Sequence, residues 1–245
     1  MSLLQNLKKD ETIAGEEDRI GGASALESGL YLLTIEKAFL QPSSGGAIGL
    51  HLHTTTDKGQ AFRTTLWITS STAKGGTPYY VDTKTNEKRY LPGYLAASAI
   101  AFLTVGKDLS EVDTEEKLVS LWSSDAKAEV PTKVEMLMDL LGKEFYAGII
   151  KQIVNKNVKA ADGSYVPSGE TREENELDKV FHAETKLTIT EAKANASAPV
   201  FFDLLDKKNT GKTRDKTGTK TSGVKPATPG TPAGASKPAS KSLFS

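Results

Sequence analysis

Three short apolar runs near the front of the chain constrain its fold most. Residues 30–39 place Tyr31, Leu33, Ile35 and Phe39 on one parity. After Pro42-Ser43-Ser44-Gly45-Gly46, Ile48, Leu50 and Leu52 share a parity, and beyond Asp57-Lys58-Gly59 so do Phe62, Leu66 and Ile68. A period of two marks a half-buried strand, because successive side chains point to opposite faces. The glycine- and proline-containing turns between the runs join them as an antiparallel meander. Centring the second turn on Lys58 pairs His53 with Arg63, Gly49 with Trp67, Leu50 with Leu66 and Ile48 with Ile68. The apolar pairs then share one face, as a half-buried sheet requires. The other face carries His51, His53, Arg63, Thr65 and Trp67, with Trp67 across from a glycine that has no side chain to obstruct it.

The rest of the chain adds fewer regular elements. Residues 74–93 form an excursion in which Tyr79-Tyr80-Val81 and Lys88-Arg89-Tyr90-Leu91 flank a turn at 83–86, the pattern of a hairpin. Residues 94–104 have helical spacing (Leu95, Ala99, Phe102, Leu103) and stop at Gly106. Val134, Met136, Met138 and Leu140 alternate up to Gly142. Residues 145–154 are apolar on both parities, as in a strand covered on both faces. A second polar excursion turns at Asp162-Gly163. A last strand is expected over 177–183, then a short helix whose capping box is Thr188 and Glu191, running into Ala198 and ended by Pro199.

The inventory is mainly β. It predicts an OB-type five-stranded Greek-key barrel with a helix, two hairpin excursions and a disordered C-terminal tail, with a β-sandwich as the alternative. The division is 1–24, a flexible N-terminal arm; 25–205, the folded domain; and 206–245, the tail. The tail is rich in Lys, Thr, Gly, Pro, Ala and Ser and buries too little apolar surface to offset the entropy of ordering.

The formal net charge of zero conceals an asymmetry. Residues 206–245 hold nine basic and two acidic side chains, so the tail is +7 and the remainder −7. The chain has no cysteine, which removes disulfides, Cys-ligated zinc and a thiol nucleophile. No apolar run approaches the roughly 18 residues of a membrane helix, and residues 1–19 lack a signal-peptide stretch. The expectation is a soluble, cytoplasmic protein that does not engage membranes.

Single-stranded nucleic acid is held by aromatic rings that stack on bases and cations that track phosphates. The face with His53, Arg63 and Trp67 offers both. So does the first excursion, with Lys74, Tyr79, Tyr80, Lys88, Arg89 and Tyr90, beside Lys84 and Tyr94. The competing readings are a Trp67 covered by the helix after it and a solvated hairpin whose tyrosines pack on the barrel. Lys143, Lys151, Lys156 and Lys159 offer a basic stripe, or only a solvated face. Of the histidines His51, His53 and His182, the first two share a strand face and could chelate a metal, but no third ligand is evident, which favours plain surface histidines; no phosphate loop, nucleophile elbow or grouped carboxylates signal an enzyme. No cofactor is implied. Lys241, Leu243 and Phe244 end the long tether as a docking motif would.

Several stretches in order carry a resemblance over nearly the whole chain. They are Glu17-Asp18-Arg19-Ile20-Gly21-Gly22, Ala25-Leu26-Glu27-Ser28-Gly29-Leu30-Tyr31, Thr65-Leu66-Trp67-Ile68-Thr69-Ser70, Tyr79-Tyr80 and Tyr90-Leu91-Pro92-Gly93. Leu140-Leu141-Gly142-Lys143, Tyr165-Val166-Pro167, Val180-Phe181-His182 and Lys241-Ser242-Leu243-Phe244 follow. Together they resemble the single-stranded DNA-binding proteins of tailed bacteriophages, of the podophage type. The resemblance implies an OB-type fold and sequence-tolerant binding of single strands during phage DNA replication and recombination in the infected cell. It also implies a tail that contacts phage or host replication proteins. Many such proteins end in an acidic tail with a terminal Phe; here Phe244 stands in a basic one. A metal-dependent nuclease of the same module and a non-DNA scaffolding protein are the alternatives, and self-association is left open.

Overall fold

A computed structural model of the protein describes residues 25–123, 126–160 and 165–218. The strand β1 (Gly29–Pro42) organises the sheet because both its edges are used. One edge pairs antiparallel with β2 (Ile48–Thr56). The other pairs first with β8 (Glu144–Lys159) and farther along with β7 (Ala128–Leu137). β2 turns into β3 (Ala61–Trp67) at Asp57-Lys58-Gly59, where Gly59 takes a φ of +77° that other residues rarely adopt. The register is the expected one: His53 faces Arg63, Leu50 faces Leu66, and Gly49 faces Trp67. The Ile68 N–H then donates to the Ile48 carbonyl at 2.9 Å.

β1 does not keep one face inward. Its register with β2 slips between Ile35 and Lys37, leaving Glu36 as the extra residue. A bulge of one residue exchanges the two faces beyond it. Leu33 and Ile35 therefore point into the main core, as do Ala38 and Leu40 after the bulge, while Phe39 lies on the opposite face. The simple alternation that grouped Phe39 with Leu33 and Ile35 is corrected by this bulge.

Beyond β3 a hairpin stands on the sheet as expected, formed by β4 (Tyr79–Val81) and β5 (Lys88–Tyr90). The helix α1 (Pro92–Val105) follows. It is apolar nearly all round and buries Ala97, Ile100, Ala101 and Leu103, as a helix enclosed by other elements does. A hairpin of β6 (Thr114–Ser123) and β7 comes next, and then β8 pairs along its length with β9 (Tyr165–His182).

The described residues thus hold ten strands, where the sequence predicts five barrel strands and two hairpin excursions. β9 begins at Tyr165, far ahead of the expected 177–183. Its polar stretch shows no apolar alternation, and ladder hydrogen bonds to β8 make it a strand. The second excursion is therefore a long ribbon, whose expected turn at Asp162-Gly163 lies outside the described residues. The strand expected through Leu140 ends at Leu137 and passes into a 3-10 turn, Met138–Leu140.

The antiparallel order β9–β8–β1–β2–β3 does not close on itself among the described residues: β3 pairs only with β2, and β9 only with β8. α1 packs against both β3 and β9 and so lies across the open seam. The contact with β3 is backbone to backbone at Gly93. A Cβ there would stand 2.4 Å from the Trp67 carbonyl oxygen and 2.7 Å from the Trp67 nitrogen. Gly93→Ala is expected to lower stability by about 2 kcal/mol, because backbone must move to admit the methyl. The midpoint of urea denaturation measures it.

The fold continues past residue 205. The capping box at Thr188 and Glu191 forms, with backbone bonds of 3.2 and 2.9 Å, but α2 (Ile189–Lys193) is a single short turn. Pro199 then starts a further helix, α3 (Val200–Asn209). Leu205 of α3 fills the notch above Gly148, where a Cβ would meet its Cδ2 at 2.9 Å. Phe202 meets Tyr146 and Phe181 edge-on, each at 5.2 Å. β10 (Thr213–Asp215) lies parallel to β8 on the edge that β1 vacates, and the Ser28 hydroxyl joins them by donating to the Lys212 carbonyl at 2.5 Å. No helix among the described residues is long and apolar enough to cross a membrane. The N-terminal arm of residues 1–24 lies outside the described residues.

Candidate nucleic-acid interface

Three rows of side chains cross β1, β2 and β3 on the face away from the main core. The register aligns Lys37, His53 and Arg63 in the first row, Phe39, His51 and Thr65 in the second, and Gln41, Gly49 and Trp67 in the third. Arg63 and Trp67 are four residues apart on one strand, so their backbones lie on the order of 13 Å apart.

The middle row is packed. Phe39 is fully buried among Val119, Val134 and Met136 of the β6–β7 hairpin. The His51 ring stacks on it at 5.1 Å and 6°, and His53 meets it edge-on at 5.6 Å. Thr65 Oγ1 and His51 Nδ1 are hydrogen-bonded at 3.1 Å. Burial lowers the pKa of His51 below the usual histidine value. Burial also lowers that of His53, helped by the charges of Arg63 and Lys37.

Both histidines thus take up a proton less readily in the fold than in the unfolded chain, which is protonated first as pH falls. Their contribution to stability is complete above about pH 6.5 and is lost as pH falls through the depressed folded values. The urea midpoint should fall as pH drops from about 7 to 5. His51→Gln, which keeps a hydrogen-bonding group for Thr65, should flatten that fall.

The outer rows are open. Trp67 is 46% exposed, and α1 touches its backbone through Gly93 rather than covering the ring. Part of the indole lies over Gly49, where a Cβ would come within 3.1 Å of it. Arg63 and Lys37 are exposed, and neither has a carboxylate within 4.0 Å among the described residues.

The β4–β5 hairpin leaves the sheet just after Trp67 and returns just before Gly93, which abuts the Trp67 backbone, and bonds within the excursion close its base. The Ser70 N–H donates to Thr77 O, and the Leu91 N–H to Pro78 O, each at 2.8 Å. Tyr79, Val81, Lys88 and Tyr90 share one face of this hairpin, and Tyr80 and Arg89 the other. Lys88 Nζ stands 4.7 Å over the Tyr79 ring, and Tyr90 stacks on Tyr94 of α1 at 5.0 Å. Tyr80 and Tyr90 are exposed, as is Lys74 in the 3-10 turn Thr72–Lys74. Arg89 is engaged with the half-buried Asp82 at 3.5 Å and the exposed Glu87 at 3.4 Å, surface pairs that are cheap to exchange for a phosphate.

Lys151 does not join this surface as a free cation. Its ammonium is held between Glu27 at 2.9 Å and Glu173 at 3.1 Å, with the side chain only 14% exposed. Lys156 is paired with Glu170 at 2.9 Å. Two of the four lysines of the expected stripe, Lys151 and Lys156, are therefore paired, with Glu173 and Glu170 brought near by the β8–β9 pairing and Glu27 by the segment ahead of β1.

Two exposed residues escape sequence reasoning. Lys37 follows the β1 bulge, and simple alternation turns it inward with Ile35. Trp122, 69% exposed on β6, lies in a run apolar on both parities, which gives no signal of face. Lys241, Leu243 and Phe244 lie outside the described residues. Among the described residues no three His, Asp or Glu side chains gather as ligands of one metal ion. Compared with known protein families and with curated proteins, the chain matches none.

Proposed function

We propose that the protein binds single-stranded DNA with little sequence preference and without catalysis. The observation that carries this reading is the half-exposed Trp67 on the same sheet face as an open cationic row, Lys37 and Arg63, at the foot of a hairpin bearing Tyr80, Lys88 and Tyr90. Stacking rings beside unpaired cations suit a strand whose bases are splayed and whose phosphates are charged. Duplex DNA keeps its bases stacked inside and gains only from the cations. The strand order, with a helix laid across the seam left by the third strand, supports an OB-type architecture that is incompletely closed. The resemblance to phage single-stranded DNA-binding proteins extends the proposal to replication and recombination in an infected bacterial cell. It also assigns partner docking to Lys241, Leu243 and Phe244.

A gel-shift titration of oligo-dT against duplex of equal length, at low and moderate salt, tests the reading. Preferred binding of the single strand is expected, with affinity falling as salt rises because bound counterions are released from the phosphates. Equal or absent binding to both rejects it. Truncation for the partner test should remove residues 219–245, since β10 belongs to the sheet.

A further inference from the structure

Resting on the single-strand reading above, we propose that the open seam between β3 and β9 is a pocket for one nucleobase, favouring cytosine and adenine, whose exocyclic amino group stands where thymine and guanine carry a carbonyl oxygen. The seam holds a groove of about 430 Å³, walled by Trp67 on β3, by Pro92 and Gly93 of α1 and by Glu174 and Glu176 on β9, with Gln152 of β8 among its lining. That volume lies within the range of small-molecule sites.

The chemistry of the lining selects a base rather than a phosphate. Among the described residues no lysine or arginine lines the groove. Both carboxylates are already balanced: Glu174 by Arg172 at 3.0 Å, and Glu176 by Arg214 and Lys216, each at 2.9 Å. What remains is acceptor capacity. Gln152 is 5% exposed, and its Nε2 donates to Glu174 Oε1 at 2.8 Å. Its Oε1 is buried and has no hydrogen-bond partner among the described residues. Buried polar atoms are nearly always satisfied, so an orphaned acceptor on a side chain of the groove lining calls for a donor that the described residues do not supply. An amino group has two N–H bonds to offer acceptors. Thymine presents a carbonyl oxygen where cytosine presents that amino group. Trp67 supplies the stacking wall. The result is a graded preference at one subsite of an otherwise sequence-tolerant surface.

The test uses the full chain and fluorescence anisotropy with labelled oligonucleotides of equal length at one salt concentration. Oligo-dC is expected to bind about tenfold more tightly than oligo-dT, the scale of one good polar base contact. An oligonucleotide of N4,N4-dimethylcytosine, which lacks the N–H donors, should bind no better than oligo-dT. Gln152→Met should lower oligo-dC affinity to the oligo-dT level. Equal binding of oligo-dC and oligo-dT, or of cytosine and its dimethyl derivative, overturns the pocket while leaving the single-strand reading standing. Absence of binding to every oligonucleotide overturns both. The dimethylated ligand needs no change in the protein, so the pocket is decided even where Gln152→Met fails to fold.

Discussion

Replacing Trp67 and Arg63 together by alanine is expected to lower affinity for oligo-dT by about a hundredfold. Loss of one stacked base costs about 1–3 kcal/mol, and loss of a phosphate contact adds to it. The salt dependence should change as well. Each phosphate contact on a single strand contributes about −0.7 to the slope of log affinity against log salt, and Arg63→Ala alone should remove about that much. Trp67→Ala alone should weaken binding and leave the slope in place, because an uncharged ring releases no ions. The fold should survive both changes. Arg63 is solvent-exposed, and Trp67 is half-exposed with part of its indole over Gly49, so the stability cost should stay near or below about 1 kcal/mol. Anisotropy at two salt concentrations, with circular dichroism of each variant, measures all three quantities. Unchanged affinity in the double variant would make this face structural.

Phe39→Ala is the change expected to damage the fold most. A fully buried phenylalanine reduced to alanine costs about 3–5 kcal/mol, a large part of a typical domain's stability. The position is also a junction. Phe39 carries the contact between β1 and the apolar face of the β6–β7 hairpin, through Val119, Val134 and Met136. It is also the ring on which His51 stacks. Besides a lower urea midpoint, the variant should show early proteolytic cleavage in the β6–β7 hairpin. The His51 pKa should move up toward its ordinary value, because the burial that depresses it is partly lost. A titration followed by NMR reads the second effect directly.

The two substitutions lie on one face, but only one of them could be placed from the sequence. Trp67 and its neighbours Arg63 and His53 follow from a short turn and strict alternation in β2 and β3, and the ladder has that register. Phe39 obeys the same alternation on paper and is turned over by the bulge at Glu36. A bulge leaves no mark in the spacing of apolar residues, because the backbone absorbs the extra position. Lys37 is hidden by the same event. Lys151 fails for another reason. A lysine in an apolar strand looks like a lone cation until a partner strand brings Glu173 beside it, and the path of residues 25–28 brings Glu27. The arm and the tip of the tail lie outside the described residues and leave their readings as proposals.

Signals carried within a few residues of chain were enough for the β1–β3 meander, the β4–β5 hairpin, the span of α1 and the capping box at Thr188. Turn geometry, alternation and caps depend on neighbours, and neighbours are what a sequence displays. The tertiary structure alone decided that β9 extends to Tyr165, that α3 and β10 continue the domain, and that the sheet stays open where α1 crosses it. Those outcomes rest on pairings between residues far apart in the chain, such as Ser28 with Lys212 and Gly93 with Trp67. Their energy comes from hydrogen-bond ladders and close backbone approach, which leave little trace in local composition.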